Sequence, residues 1–480
     1  MRAAYDAATV RAAEQPLLEA QPEGTLMNRA AAGLARVCAQ VLGGAYGTRV
    51  LLLVGAGNNG GDVLHAGALL ARRGARVESL LLADRVHEAG LDALRRAGGR
   101  VVVEDGYGDI GDIDLVLDGI LGIGGRGGLR GRAAEVAAAL PDGALVVAAD
   151  VPSGVDASTG EVAGAAVRAD VTVTFGAVKT GLVVDPGAAH AGVVEMVDIG
   201  LDLPPAAVEV LQTEDVAALL PRADRESDKY RRGVVGVAAG SAQYTGAAVL
   251  CVGGALRGGA GMVRYLGADE PAALVRARWP EVVVGEGRVQ AWTVGSGAGD
   301  DAAGRLDRAL ADDVPTVVDA DALGALRGQS GRRSVPLLLT PHAGELARLV
   351  GAERDDVEAR RLHHATTAAK ELGAVVLLKG STTVVAGPDG RVRVNPTGTP
   401  ALATAGSGDV LAGLCGALLA GGLDPFDAGS VAAWLHGLAG RLASAGGAPL
   451  AAGDVLAALP HAFQRVLTPG PDSEVGRLGG

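Results

Sequence analysis

Asp409 follows Thr404-Ala405-Gly406-Ser407-Gly408 and precedes the apolar run Val410-Leu411-Ala412-Gly413-Leu414-Cys415-Gly416-Ala417-Leu418-Leu419. The pattern predicts a small-residue loop that opens directly into a long helix. The first turn of a helix leaves backbone N–H groups unpaired, and the macrodipole adds partial positive charge there. Glycines at 406 and 408 would let an anion approach those amides closely. A carboxylate at the mouth of such a hole can take a proton from a hydroxyl that is about to meet a phosphoryl group. The competing reading is a plain helix start with a favourable first-turn acid, and the rest of the chain must decide between them.

Other strand ends carry chemistry of the same kind. In the front half, Gly55-Ala56-Gly57-Asn58-Asn59-Gly60-Gly61-Asp62 follows the apolar run Arg49–Val54. Formally this is GxGxxG after a strand, with Asp84 at the end of the next strand, the layout of a dinucleotide turn. Two carboxamides and an acid at the helix start do not suit pyrophosphate, which Asp62 would repel; a hard cation or a sugar hydroxyl fits better. Asp118 with the loop to Gly128, and Asp150-Val151-Pro152-Ser153-Gly154, end later strands on the same side, so Asn59, Asp118, Asp150 and Ser153 could converge. Each acid taken singly could be a cap or turn residue. In the back half, Asp319 and Asp321 end one strand, and Thr340-Pro341-His342-Ala343-Gly344-Glu345 turns another into a helix. Lys379-Gly380-Ser381-Thr382-Thr383 ends a third, a lysine and hydroxyl cluster suited to phosphate.

The elements that must hold these residues alternate along the chain. Two helices are predicted over 6–42, broken near Pro22-Glu23-Gly24. Strands fall near 49–54, 76–82, 100–103, 113–118, 144–149, 170–175 and 193–197, mostly as continuous apolar runs of buried parallel type. Residues 201–232 change character, with Pro204-Pro205, Pro221 and the charged run 222–232; they read as a linker with one short helix at 213–220. Lys229-Tyr230-Arg231-Arg232 is basic, either a solvated linker or a phosphate or adenine contact. A second α/β unit starts at Val234 and closes with helices near 427–445 and 453–467. The expected boundaries are 1–212, a linker at 213–232, 233–468 and a disordered tail at 469–480.

Bulk properties narrow the class. A chain of 480 residues exceeds one hydrophobic core. A net charge of −12 argues against a nucleic-acid binder. Cys38, Cys251 and Cys415 are isolated, which excludes a disulfide framework or zinc knuckle and suits a reducing cytoplasm. The N-terminal residues carry charge without an apolar run, so no signal peptide is expected. The longest apolar candidate, Val410 to Leu423, is glycine-interrupted and too short to cross a bilayer. Cytoplasmic location and a homo-oligomer are expected, with no membrane partner.

The asparagine-pair loop, Asp118 with its glycine loop, and Asp150-Val151-Pro152-Ser153-Gly154 resemble the NAD(P)H-hydrate epimerase family. From about residue 229 the chain resembles the ADP-dependent NAD(P)H-hydrate dehydratase family, through Thr340–Glu345, Lys379-Gly380 and Gly406-Ser407-Gly408-Asp409. Epimerase first and dehydratase second is the order of the bacterial bifunctional nicotinamide nucleotide repair enzymes. The resemblance covers roughly residues 1–468. It implies an α/β protein of two domains, a Rossmann-like three-layer α/β/α domain followed by a ribokinase-like α/β domain. Departures are Val63 where the epimerase family has glycine, Ala343 in place of a proline, and Gly295-Ser296-Gly297-Ala298-Gly299 in place of a Gly-Pro-Gly-Leu-Gly loop.

The resemblance also implies roles. Asn58, Asn59, Gly60, Gly61 and Asp62, the loop Gly122-Ile123-Gly124-Gly125-Arg126-Gly127-Gly128 and Asp150 would contact hydrated NADH or NADPH. Asn59, Asp118 and Ser153 would hold potassium. In the second domain Ala247, Gly297, His342 and Asp409 would contact the hydrate, and Lys379, Gly380, Ser381, Thr382, Thr383 and Gly408 the adenine nucleotide. ADP would be the co-substrate, with magnesium. A proton must move at the C6 hydroxyl of the hydrate, which makes Asp62 and Lys179 the expected acid/base groups in front and Asp409 the base behind. Two rival readings stay open: a vitamin or sugar kinase fused to a dinucleotide-binding oxidoreductase, and a non-enzymatic nucleotide-binding role for the front domain.

Overall fold

The computed structural model describes residues 1–102, 113–141, 143–222, 225–327 and 335–468. It separates into two compact units, Ala3–Ala207 and the chain from Val208 onward together with Met1 and Arg2. The expected tail at 469–480 lies outside the described residues.

The front unit runs β1 (Arg2–Tyr5), α1 (Ala7–Ala20), α2 (Thr25–Val41), β2 (Arg49–Val54), α3 (Asn58–Arg72), β3 (Arg76–Leu81), α4 (Glu88–Arg96), β4 (Arg100–Val102), β5 (Leu115–Gly119), α5 (Gly131–Ala138), β6 (Leu145–Ala149), β7 (Val171–Phe175), β8 (Val178–Lys179), α6 (Ala188–Ala191) and β9 (Val193–Val197). Its seven-stranded sheet has the order β4-β3-β2-β5-β6-β7-β9, parallel throughout. Strand side chains alternate between faces, so the unbroken apolar run of β2 serves both layers. Val50, Leu52 and Val54 join the core under α2 and α3, and Leu51 and Leu53 join the opposite core with Val116 and Val136. The order reverses between β2 and β5, and ligands bind at such a switch point, outside the carboxyl ends of the strands.

The back unit runs β10 (Val208–Val210), α7 (Thr213–Leu219), β11 (Val234–Ala238), α8 (Thr245–Arg257), β12 (Met262–Tyr265), α9 (Asp269–Arg278), β13 (Val283–Val284), β14 (Ala291–Val294), α10 (Ala302–Leu310), β15 (Thr316–Val318), α11 (Asp321–Gly324), β16 (Leu337–Leu339), α12 (Ala343–Val350), α13 (Arg354–Ala359), α14 (Arg361–Leu372), β17 (Val375–Leu378), β18 (Thr383–Ala386), β19 (Val392–Asn395), α15 (Ser407–Ala420), α16 (Pro425–Ala443) and α17 (Ala452–Leu467). Its strand order is β13-β12-β11-β14-β15-β16-β17-β18-β19-β10. The strands from β13 to β17 are parallel, and β18 and β19 add an antiparallel hairpin. The helix α15 lies on the sheet as an almost wholly buried rod, from Val410 to Ala420. Small residues let α8 lie against it: a Cβ on Gly254 would stand 2.2 Å from the Val410 carbonyl oxygen, and one on Gly413 would stand 1.9 Å from that of Cys251.

The division at Val208 differs from the expected boundary at 212. The strand β10 pairs with β19, and Leu211, Val216 and Leu220 are buried in the back unit's core. The prolines and charges that mark a linker hide an apolar i, i+5, i+9 set that the back core absorbs.

Candidate active sites

The asparagine-pair segment is helix rather than loop. The helix α3 starts at Asn58, with Gly57 as its N-cap. Gly60 makes this early start feasible, since a Cβ there would stand 2.3 Å from the Gly55 carbonyl oxygen. Asn58 is exposed, whereas Asn59, Gly60, Gly61 and Asp62 are buried, so Asp62 stands one turn inside the helix and not at its mouth. Val63, the departure from the family pattern, packs over Gly119 at the end of β5.

The end of β5 meets Asn59. Its Nδ2 donates to the Leu121 carbonyl at 3.0 Å, and its Oδ1 is buried with no hydrogen-bond partner among the described residues. Gly122 lies against this carboxamide, 3.2 Å from Oδ1 to a Cβ placed there. Asp118, fully buried, accepts from Ser153 N at 2.8 Å and Ser153 Oγ at 2.6 Å. Burial pushes its carboxyl up to about 6, against the pull of those hydrogen bonds. The glycine loop turns at Gly122, where Gly125 N donates to Gly122 O at 2.8 Å, and Leu129 N rejoins Ala165 at 2.7 Å. Gly124 and Arg126 are exposed in its middle, between Ile123 and the half-buried Gly127 and Gly128.

Asp150 adopts φ 66°, a left-handed backbone rare for a residue with a Cβ. Its carboxylate is gripped by the Lys179 ammonium and, at 3.3 Å, by Phe175 N. Lys179 is buried and also donates to Thr174 Oγ1 at 3.1 Å and to Phe175 O at 2.8 Å. Those three partners account for all three N–H bonds of an ammonium group. In the structure Lys179 holds Asp150. Asp62 lies within electrostatic reach of Asp150, Glu14 and Lys179; burial first, then the two neighbouring carboxylates, hold its carboxyl well above the usual range.

In the back unit no side chain caps the start of α15, and of its first amides Ser407 N reaches the Thr404 carbonyl at 3.4 Å. Gly406 caps the helix at φ 89°, with no side-chain cap, and Asp409 occupies the third helical position. His436, buried behind, contacts the Ser407 carbonyl through Nε2 at 2.9 Å and fixes the loop. Gly408 faces Lys379, whose Nζ stands 3.4 Å from a Cβ placed there. Lys379 Nζ donates to Asp319 Oδ1 at 3.1 Å and pairs with Glu345 Oε2 at 3.6 Å. Burial opposes its charge, yet Asp319, Glu345 and Asp409 outweigh that and raise its pKa above the ordinary lysine value. Burial, then Asp319, pushes the Asp409 carboxyl up to about 7 despite Lys379.

His342 is the N-cap of α12. Its Nδ1 accepts from Glu345 N at 3.2 Å and the Glu345 carboxylate accepts from His342 N at 2.8 Å, a reciprocal capping box. A parallel bridge sets His342 beside Lys379. Burial, above all, keeps the imidazole below its usual pKa, and its Nε2 lies 3.4 Å from Glu345 Oε1. Gly297, at φ 60°, abuts the first turn of α8: its Cβ position lies 2.8 Å from Ala247 Cβ. Gly380 and Ser381 are exposed; Thr382 and Thr383 are buried, and Thr383 opens β18. The structure therefore gathers Asp409, Gly408, Lys379 and His342 at one place and pairs Ala247 with Gly297 nearby.

Two further groups join the sites, one noted in the sequence only as a strand-end acid and one given no site role there. Asp319, buried at the end of β15, accepts from Ser296 Oγ at 2.8 Å, Thr340 Oγ1 at 2.7 Å and Lys379, and it positions the lysine. Ala320 after it has φ 47°, a second strained strand end. Glu14, on α1, faces the front carboxylates. Its only sequence signal is its place in the apolar series Ala7, Val10, Glu14, Leu17.

Parallel strands flanked by helices, with an acid at a glycine-capped helix start, define a ribokinase-like back unit. It is similar to the ADP/ATP-dependent NAD(P)H-hydrate dehydratase of Bacillus subtilis co-crystallised with ATP and Mg2+, at 32% identity and TM-score 0.51, over 54% of this chain and 99% of that one. A ribokinase-like superfamily protein of Enterococcus faecalis shares the fold at TM-score 0.50 and 23% identity, over 56% of this chain and 99% of its own. The family described as NAD(P)H-hydrate dehydratase matches residues 235–460, and that described as YjeF-related protein N-terminus matches residues 23–181. The bifunctional NAD(P)H-hydrate repair enzyme Nnr of Mycobacterium tuberculosis is 47% identical over 89% of this chain and 91% of its own. The ADP-dependent (S)-NAD(P)H-hydrate dehydratase of Neisseria meningitidis is 39% identical over 44% of this chain and 77% of its own. The chain belongs to the family of bifunctional NAD(P)H-hydrate repair enzymes.

Proposed function

We propose that this chain repairs hydrated NADH and NADPH: the front unit interconverts the R and S forms, and the back unit returns the S form to NAD(P)H with ADP, giving AMP and phosphate. The observation that carries the reading is Asp409, a carboxylate pushed up to about 7 at the third position of a helix whose start no side chain caps. A general base works best when its pKa is near the working pH.

In the back unit Asp409 takes the proton of the C6 hydroxyl, whose oxygen attacks the terminal phosphoryl group of ADP as AMP departs. The amides at 406–409 and Lys379 receive the phosphoryl charge. Phosphate then leaves C6 while a proton leaves C5, which restores the ring double bond. Gly408, Gly380, Ser381, Thr382 and Thr383 border the nucleotide, and Ala247, Gly297 and the neutral His342 border the hydrate. Magnesium suits this donor set, because bound on nucleotide phosphates it keeps several waters and needs only one or two carboxylates, which Asp319, Asp321 and Glu345 can supply. It would neutralise phosphate charge.

In the front unit Asn58 to Asp62, the Gly122–Gly128 loop and Asp150 border the hydrate, and Asp62 is one proton carrier. Potassium suits Asn59, Asp118 and Ser153. The support is the buried Asn59 Oδ1, an acceptor without a donor among the described residues, in the same strand-end cluster as a buried carboxylate and hydroxyl. The reading includes a homo-oligomer in a reducing cytoplasm, in keeping with three buried free thiols. Sedimentation and fractionation check those two points.

The test is to incubate the protein with mixed R and S hydrates and follow the return of dihydronicotinamide absorbance. With ADP the whole mixture should recover; without it none should. Recovery limited to the S share would remove the epimerase half. A stable phosphorylated product made from ATP would favour a kinase instead.

A further inference from the structure

Inversion at C6 needs two proton carriers, one for each face of the ring, and the front unit offers Asp62 and one group that the reading above leaves unused. Lys179 is excluded, since its three N–H bonds go to Asp150, Thr174 and Phe175. Asp150 is held through Oδ1 by that ammonium and by Phe175 N, and the reading above assigns it to binding the hydrate rather than to moving its proton. Asp118 is bound on both oxygens by Ser153.

Glu14 remains. The strand β1 lies parallel to β8 with Tyr5 opposite Lys179, and α1 begins two residues later. Ala7 N donates to Ser158 Oγ at 3.0 Å, and Arg11 Nη2 donates to the Ile123 carbonyl at 3.1 Å. The first turns of α1 are thereby tied to the Asp150 side and to the glycine loop. Glu14 follows Arg11 by three positions, on the same side of the helix. It also continues the inward series Ala7, Val10 and Leu17, of which Ala7 and Val10 are buried and Leu17 packs on the core. A carboxylate on that stripe has no hydrogen-bond or ion-pair partner among the described residues. Its electrostatic neighbours are Asp150, Lys179 and Arg11, and it acts in turn on Asp62. Three acids thus share one lysine whose bonds are already made.

We propose that Glu14 is the second proton carrier of the epimerase, acting from α1 on one face of the nicotinamide ring while Asp62 acts from α3 on the other. This rests on the reading of the front unit as an epimerase. Protonated Asp62 gives its proton to the C6 hydroxyl; the C6–O bond breaks, water leaves, and the ring-nitrogen lone pair forms a C=N bond to C6. A water then adds to the opposite face of C6, its surplus proton passes to the Glu14 carboxylate, and the electron pair returns to nitrogen. The net change is inversion, one oxygen exchanged with solvent, and one proton moved from Asp62 to Glu14; the reverse reaction resets both. Burial, then the Asp150 charge, raises the Glu14 carboxyl, which makes it a better base than an exposed glutamate.

The experiment runs the full chain without ADP on pure R hydrate in oxygen-18 water and follows both inversion and label at C6. Wild type should take up one labelled oxygen per inversion. Glu14→Gln should lose inversion by at least about 10²-fold, yet keep exchanging oxygen with retention, because Asp62 can still expel and recapture water on its own face. Glu14→Asp should restore part of the inversion. Exchange with retention also shows that the variant site is folded. Normal inversion in Glu14→Gln would overturn the proposal. So would parallel loss of inversion and exchange that Glu14→Asp does not relieve, the mark of a structural role, or wild-type inversion without label. Absence of any inversion in wild type would instead remove the epimerase reading itself.

Discussion

The two units solve one problem, a proton to be moved at a ring hydroxyl, with opposite charge layouts. Each gathers its site at the carboxyl ends of parallel strands, and each carries a strained non-glycine residue just beyond a strand, Asp150 after β6 and Ala320 after β15. In front, the lysine is buried and fully bonded, and three carboxylates surround it. Behind, Lys379 keeps a fifth of its side chain exposed and lies beside a helix start that no side chain caps. The front lysine holds architecture; the rear one remains open to an incoming anion. A site that handles a neutral ring needs proton carriers of differing affinity, whereas one that transfers a phosphoryl group needs positive charge in reach.

The sharpest way to break this comparison is a reciprocal pair of variants. Asp409→Asn should lower dehydration by about 10²- to 10⁴-fold and leave R/S exchange intact; Asp62→Asn should do the converse. Both are measured on one preparation, with and without ADP. If either variant lowers both activities equally, the units do not act as separate sites. Next in size is Lys179→Met. It leaves Asp150 buried without its cation, a loss of about 3–5 kcal/mol, visible as a lower urea midpoint for the front unit while ADP-dependent dehydration of S hydrate survives.

The pH responses should diverge by about tenfold per unit on opposite limbs. Asp409 must be ionised to accept a proton, and its carboxyl sits at about 7. Dehydration should therefore fall as pH drops below about 7 and level off above it. Asp62 acts as an acid with a raised pKa, so epimerisation should instead fall as pH rises through that value. Glu14, which must be ionised to act as a base, adds a fall at low pH, so the alkaline fall is the limb that separates the two reactions; epimerisation that stays level at high pH would contradict the Asp62 assignment. The smallest effect is expected for Ser296→Ala, which removes one of the three donors to Asp319. It should cost about 0.5–1.5 kcal/mol of stability and leave epimerisation unchanged.

Much of this was legible in the chain itself. Continuous apolar runs such as Arg49–Val54 announce buried parallel strands, and loops at their ends place Asn59, Asp118, Asp150, His342 and Lys379 on the correct side of each sheet. The glycine-capped start of α15 and Asp409 at its third position came from local pattern alone, because caps and dipoles act within one turn. The short strands β10, β18 and β19 were not legible. They are three or four residues long, and their pairing partners, not their own sequence, make them strands.

What the tertiary structure decided was the task of each charged group. Lys179 reads as a candidate acid/base group, and only the fold shows Asp150, Thr174 and Phe175 taking its three bonds. Glu14 has no site role in the sequence reading, and gains one only when α1 is seen tied to the Ile123 loop, with Asp150 and Lys179, far along the chain, as its electrostatic neighbours. Asp319 likewise becomes the anchor of Lys379 only when β15 and β17 flank β16 in one sheet. Residue type and near neighbours set where helices and strands begin, but burial and Coulomb partners come from chain folded back on itself. The proton affinities on which both reactions turn are therefore a property of the fold.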